Sequence, residues 1–205
     1  MSCSSNSMSE HTDSDEAMLT GLPPFPDYAE GISPLFLILG SFPSRASLAM
    51  KTYYAHPRNH FWRIVGEIFN MDLEKASLKE KSTFLRMHRI IIWDSIAACR
   101  RPGSLDNAIQ DAVPNDIAGL LARFPSIRAV GLNGLQSARV FFTRILPEPA
   151  KVPAIGEILT LKITKNRPSS VLVMRLPSTS PVPTRAYRDG ASKIPHWKQF
   201  FTIHL

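Results

Sequence analysis

Cysteine is nearly absent: the 205 residues hold two, Cys3 and Cys99, far apart in the chain. A disulfide framework, a cysteine zinc site and a four-cysteine iron–sulfur cluster are therefore unsupported, and a reducing compartment fits. No apolar run is long enough to span a bilayer, and the first residues lack the basic-then-apolar layout of a signal peptide. A soluble, intracellular protein (cytoplasm or nucleoid) with no membrane partner is expected. Neither common glycine-rich phosphate loop is present, which removes the usual nucleotide-binding α/β proteins. No internal repeat is visible.

Basic residues are missing from the first 30 positions, which hold Glu10, Asp13, Asp15, Glu16, Asp27 and Glu30. The formal net charge of +7 thus understates the remainder: taking those six from the 17 acids leaves 11 against 24 Lys and Arg, or +13. A basic folded body suits a polyanion, because neutralising phosphates releases counterions and drives association. A basic enzyme with no nucleic-acid role fits the composition equally. Residues 1 to about 22 are rich in Ser, Asn, Asp and Glu, so a disordered acidic tail over 1–28 is expected ahead of one domain over 29–205.

Where apolar residues cluster, their period alternates between strand and helix. Leu35 to Leu39 is a run of strand length that ends in Gly40-Ser41-Phe42-Pro43-Ser44, which continues as neither strand nor helix. After a long loop, helical spacing resumes at Phe61, Trp62, Ile64, Val65, Ile68 and Phe69, predicting a helix from about Asn59 to Asn70. Leu73 to Met87 is polar and helix-prone. Arg89 to Asp94 is a second strand, uninterrupted and so buried on both faces. Ser95 to Asp106 reads as a loop opening into short helices, for which Ser104 and Asn115 are the candidate caps. Ser126 to Asn133 is a third strand, followed by a helix with Ala138, Val140, Phe141, Phe142 and Ile145. Ile158 to Ile163 is a short extra strand, Asn166-Arg167-Pro168 a turn, and Val171 to Leu176 the last strand. The segment from Tyr187 to Leu205 is helical around Trp197, Phe200 and Phe201, with Pro195 starting, kinking or splitting it. This alternation predicts a three-layer α/β/α sandwich with right-handed crossovers. Ligand sites of such open sheets lie off the carboxyl ends of the strands.

Two loops at such ends carry the candidate chemistry. Taken singly their residues have ordinary readings. Asn59 suits a helix cap, Tyr54 a core tyrosine, and the run Pro177-Ser178-Thr179-Ser180-Pro181-Val182-Pro183 a rigid connection. Together they form a pattern. Gly40-Ser41-Phe42-Pro43-Ser44 with Tyr54-Ala55-His56-Pro57-Arg58-Asn59-His60-Phe61-Trp62 resembles the first active-site segment of the uracil-DNA glycosylase superfamily. The nearest branch is that of the hypoxanthine-DNA (deoxyinosine) glycosylases. Leu176-Pro177-Ser178-Thr179-Ser180-Pro181-Val182 resembles the second motif. Trp93-Asp94-Ser95-Ile96, the run Arg100 to Asp106, and Leu132-Asn133-Gly134 are supporting matches, so the resemblance spans roughly residues 34 to 202.

The resemblance implies a short central parallel sheet with the site at its carboxyl edge, and a glycosylase that flips a deaminated base out of DNA. Asn59 matches the important asparagine of the deoxyinosine branch, holding water at the anomeric carbon or touching the base. Gly40, Ser41, Phe42 and Tyr54 are expected to bind the base, the amides of Ser41 and Phe42 by stabilising the departing base and Tyr54 by stacking. His56 and Arg58, together with Pro177, Ser178, Thr179, Ser180, Pro181 and Val182, are expected to meet DNA, with Pro181 and Val182 as a wedge. Asp94 can cap or contact the site, and Arg100 and Arg101 are candidate phosphate contacts.

Three departures stand out. Phe42 occupies the place of the catalytic Asn of the mismatch-specific branch, Ser44 replaces a usual Gly, and no Asp or Glu lies between Ser41 and His60 to activate water. A slower enzyme is expected. The matched motifs hold no lysine, so no Schiff-base lyase step is implied, nor any metal or organic cofactor. Hypoxanthine is the expected substrate base and a monomer the expected state. The rival readings are a uracil- or xanthine-directed glycosylase of the same fold, and a non-catalytic DNA-binding module.

Overall fold

The computed structural model describes residues 17–27, 33–103, 105–163, 170–182 and 184–203. In chain order the strands and helices are β1 (Leu19–Thr20), β2 (Phe36–Gly40), α1 (Arg45–Met50), α2 (Phe61–Phe69), α3 (Leu78–Met87), β3 (Ile90–Asp94) and β4 (Ile96–Arg100). They continue with β5 (Gln110–Pro114), α4 (Ile117–Arg123), β6 (Ala129–Asn133), α5 (Leu135–Val140), β7 (Ile158–Leu161), β8 (Val171–Leu176) and α6 (Ile194–Phe201). The four apolar runs form the parallel strands β3-β2-β6-β8, in that spatial order, and β7 adds an antiparallel edge beside β8.

Period-two alternation divides the core between two faces. Leu37 and Leu39 point to one side, where α4, α5 and the π-helical turn Phe141–Ile145 supply Ile117, Leu121, Ala138, Phe141 and Phe142. Ile38 points to the other, against Phe61, Trp62, Ile64 and Val65 of α2, Phe84 and Leu85 of α3, and Trp197 and Phe200 of α6. The expected three-layer α/β/α sandwich is what forms, its sheet mostly parallel. Helix ends follow their caps. Ser77 and Glu80 make a reciprocal capping box on α3, and Pro195 lies in the first turn of α6, where its missing N–H costs nothing.

The structure corrects the reading of Ser95 to Asp106. Residues 96–100 are the strand β4, paired antiparallel with β1 and β5 in a second, three-stranded sheet. Its partners are short and its own run, Ile-Ala-Ala-Cys-Arg, does not alternate, so no period betrays it. Asn115 does not cap α4; Asp116 does, accepting from the Gly119 N–H, while Asn115 donates to the Asp94 carbonyl. Ser104 lies outside the described residues. The span between Ser41 and His60 is also less irregular than expected, because Ser44 caps α1 by accepting from the Ser47 N–H. The domain takes in residues assigned to the 1–28 tail. Leu19 and Thr20 pair with Cys99 and Ala98, Phe25 bridges to Ile92, and the Leu22 carbonyl accepts from Tyr53 and Trp93.

Candidate active site

Four parallel strands end side by side, and each delivers one polar or small residue to the same rim. Gly40 closes β2, Asp94 closes β3 in register beside it, Asn133 closes β6, and Thr179 follows β8. Gly40 is glycine for a steric reason: a Cβ there would stand 2.2 Å from Asp94 Oδ1 and 3.4 Å from the Tyr54 hydroxyl. The missing side chain makes room for a carboxyl and a phenol. Asn133 then ties the row together. Its Nδ2 donates to Tyr54 Oη at 3.2 Å and to Thr179 Oγ1 at 2.9 Å, and its Oδ1 accepts from the Thr179 N–H at 2.9 Å. Gly134 lets the second loop approach: its φ is +96°, and Ser178 Cβ lies where a side chain would begin.

Asn59 sits where the first loop enters α2. Its Oδ1 accepts from the Phe61 N–H at 2.9 Å, but the N-cap of α2 is His60, so Asn59 makes an Asx-type turn into the helix and does not cap it, and that same bond fixes the carboxamide. Tyr54, with φ +56°, stacks on Phe61 at 4.0 Å between ring centres. Burial and the neighbouring Asp94 push its phenol above the usual range, so it stays neutral. Among the described residues no hydrogen bond engages the amides of Ser41 and Phe42. The Phe42 ring itself is buried with Ile96, Cys99 and Val140, under the Arg101 guanidinium at 5.0 Å. Only its backbone remains for a base. Arg101 is 1% exposed and donates to the Pro43 carbonyl, so it braces the loop from inside and is not a phosphate contact. Arg58 is exposed, and its N–H donates to His56 Nδ1.

The two loops meet. The His60 N–H donates to the Thr179 carbonyl at 2.9 Å, directly joining the start of α2 to the second motif. Lys193, 2% exposed, reaches from the turn before α6 to His60 Nδ1 and to the Ser180 carbonyl, each at 3.1 Å. Burial lowers the Lys193 ammonium, with Asp189 opposing. Burial and Lys193 in turn lower His60, which favours its neutral ring as acceptor. Two expected DNA contacts lie inside the fold. Thr179 is 1% exposed, and Pro177 is buried with its carbonyl accepting from Trp197, so both shape the loop from inside. The tip presents Ser180, Pro181 and the 54%-exposed Val182.

Carboxylates missing from the first loop arrive from elsewhere. Asp94 is 3% exposed, and its Oδ2 has no hydrogen-bond partner. Desolvation pushes its pKa up to about 8, Asp106 adding to the rise and Arg101 opposing it. Asp106, from the turn Asp106–Ala108, accepts from the Ser41 hydroxyl at 2.8 Å. Although that residue is exposed overall, loss of solvent around the carboxyl raises it, against the Ser41 bond and Arg101. Asn133 and Asp94 each end an uninterrupted apolar run, a signal present in the sequence. Nothing in the local sequence marks Lys193. Among the described residues no group of three His, Cys, Asp or Glu could hold a metal ion, and no helix is long and apolar enough to cross a membrane.

Comparison with known proteins agrees with this geometry. A hypoxanthine DNA glycosylase of Methanosarcina acetivorans is 35% identical over 119 residues, covering 54% of this chain and 75% of the relative. That of Methanosarcina barkeri is 35% identical over 117 residues, covering 57% and 72%. The chain belongs to the hypoxanthine DNA glycosylase family. A candidate uracil DNA glycosylase from Methanosarcina acetivorans, solved by solution NMR, superposes with a TM-score of 0.62 at 26% identity. That match covers 90% of this chain and 97% of the other, which places the fold in the wider uracil-DNA glycosylase superfamily. No protein-family model matches.

Proposed function

We propose that this glycosylase removes hypoxanthine from deoxyinosine in DNA by hydrolysing the N-glycosidic bond, with no lyase step. The observation that carries this reading is the convergence of the two motif loops on one rim, joined by the His60–Thr179 bond and the Asn133 network. The basic body neutralises phosphates around the lesion. His56 and Arg58 sit on the outer side of the first loop, and Val182 at the tip of the second fills the space left in the stack. Flipping costs a few kcal/mol, least where the base is mispaired, which supplies part of the selectivity.

In the pocket the base rests above Gly40, within reach of the Ser41 and Phe42 amides, beside Tyr54. Cleavage runs through an oxocarbenium-like sugar. The C1′–N9 electrons pass to the purine, water adds to C1′, and the proton it sheds ends on the released base. Fixed N–H donors aimed at the departing base do most of the work. Asn59 holds the water through the carboxamide that its bond to Phe61 orients. The protein works as a monomer and needs no metal.

Purified protein incubated with duplexes carrying single deoxyinosine, deoxyuridine or deoxyxanthosine tests the assignment. Alkali-labile sites are expected foremost at deoxyinosine; dominant cutting at deoxyuridine would transfer the assignment to uracil, and none on any duplex would end the enzyme reading. Asn59→Ala should abolish cutting while the protein still folds.

A further inference from the structure

We propose that Lys193 and His60 form a proton-sensitive clamp, which holds the second loop against the first while the imidazole is neutral and opens, loosening the grip on DNA, when His60 takes up a proton. This rests on the glycosylase reading above and adds to it a positioning pair that responds to pH. Lys193 belongs to neither motif loop; it ends the turn Ala191–Lys193 ahead of α6. Its side chain is nevertheless 2% exposed and joins the two loops, donating to His60 Nδ1 and to the Ser180 carbonyl, each at 3.1 Å. Neither acceptor brings a negative charge, so these bonds return little of the cost of taking the ammonium out of water. What they supply is position. His60 follows Asn59 directly, and Ser180 stands two residues before Val182 at the exposed tip. An ammonium offers only donors, so His60 meets it with a bare Nδ1 and carries its own proton on Nε2.

An imidazolium ring carries a proton on both nitrogens. The acceptor in the clamp then becomes a second donor, and two like charges face each other across 3.1 Å beside a buried side chain. Burial and Lys193 hold the ring below the ordinary histidine value, with Arg63 adding to them and Asp189 and Glu74 opposing. Asp189 is itself engaged, its Oδ1 accepting from the Ser192 N–H. The Gly190 backbone packs on the ring, where a Cβ would stand 3.4 Å from His60 Cγ. Releasing Lys193 relieves the repulsion, and its bond to the Ser180 carbonyl goes with it. The bond from the His60 N–H to the Thr179 carbonyl does not involve the ring and survives. The second loop thus stays anchored at its root while its tip loses a brace. Because the fold weakens proton binding at His60, the clamp is closed at neutral pH and fails as pH falls below about 6.5.

The test is affinity between about pH 5 and about pH 8 for wild type, His60→Asn and Lys193→Met, with thermal melts alongside. Anisotropy on a duplex carrying a tetrahydrofuran abasic analogue reads binding without cutting. The half-saturating protein concentration in single-turnover excision, on whichever of the three damaged duplexes the wild type cuts, reads it again. In His60→Asn the carboxamide oxygen takes the place of Nδ1 and accepts from Lys193 at every pH. Acidification adds positive charge and by itself tightens binding to a polyanion, so the clamp predicts a change of opposite sign. Wild-type affinity is expected to fall about 10-fold toward the acid end, while the rate at saturating protein changes much less. His60→Asn should keep the neutral wild-type affinity throughout, and Lys193→Met should bind weakly throughout. Wild-type binding that stays level or tightens in acid would overturn the clamp, as would an acid loss that persists in full in either variant. If one variant does not fold, the other decides. A wild type that neither binds nor cuts any duplex overturns the glycosylase reading and this one with it; a wild type that cuts and whose affinity ignores the acid step overturns this one alone.

Discussion

Replacing Asn133 by Ala removes a side chain that touches both halves of the site. Three hydrogen bonds go: the acceptor for the Thr179 N–H, and the donors to Thr179 Oγ1 and Tyr54 Oη. They are not equal. Thr179 is 1% exposed, so its N–H loses its acceptor where water does not reach, at about 1–3 kcal/mol. The two hydroxyl oxygens each lose a donor, at about 0.5–1 kcal/mol apiece. The sum is about 2–5 kcal/mol, a large share of the stability of a single domain. With a urea slope of about 2–3 kcal/mol/M, the unfolding midpoint should drop by about 1–2 M. Asn133→Asp keeps the acceptor for Thr179 and should recover part of that loss at acidic pH, then lose it as a charge develops in a buried position. Urea titration followed by tryptophan fluorescence, with excision measured on the folded variants, reads both effects. A midpoint for Asn133→Ala that matches wild type would show that the network is incidental and that the His60–Thr179 bond and Lys193 hold the loops.

Three further outcomes follow from the same geometry. Gly40→Ala puts a methyl group 2.2 Å from Asp94 Oδ1, and because that carboxyl is short and buried its displacement should cost about 1–3 kcal/mol in a thermal melt and slow excision. Unchanged melting and rate would mean that the carboxyl moves freely. Stability should also depend on pH through Asp94: above about pH 4 the unfolded chain has given up this proton, while the folded chain keeps it to about pH 8. The folded state therefore binds more protons across that window and stability falls as pH rises through it. Urea midpoints should flatten in Asp94→Asn, and an undiminished slope in that variant would assign the effect elsewhere. Lys193→Met keeps the buried stem but drops the bonds to His60 and Ser180, so stability should change by less than about 1 kcal/mol while affinity for deoxyinosine duplex, read by anisotropy, weakens; unchanged affinity would show that Lys193 does not position the second loop.

Much of the fold was legible because a strand buried on both faces leaves no polar residue to interrupt its apolar run. Leu37 to Leu39, Ile90 to Ile92 and Val171 to Leu176 announce themselves in this way. The second sheet was not legible, because β1 is two residues long, β5 is largely exposed, and β4 follows β3 after a single residue, Ser95. Its pairing is set by distant neighbours, which local periodicity does not register. The helix α1 hid for a related reason: its six residues are too few for a period, and its start depends on Ser44, which as a lone serine reads as loop.

The site shows the same division in sharper form. Reading along the chain finds residues that act next to one another, and so it found Tyr54 and Asn59, and the second motif, whose tip at Val182 stays on the surface. It also found no acid in the first loop, and named Asp94 only as a residue that can cap or contact the site. The rim, however, is assembled across the strands, one residue from each end, and its members are as far apart in sequence as Gly40, Asp94 and Asn133. Parallel pairing brings them together because every strand reaches the same edge in the same direction. The residue that stops each apolar run is then the residue that reaches the shared rim. Asp94 and Asp106 return to the rim, from β3 and from the turn before β5, the carboxylates that the first loop lacks. Burial changes what they can do. A carboxylate carried on an exposed loop would be ionised and suited to activating water, whereas one closed in against Gly40 keeps its proton to about pH 8.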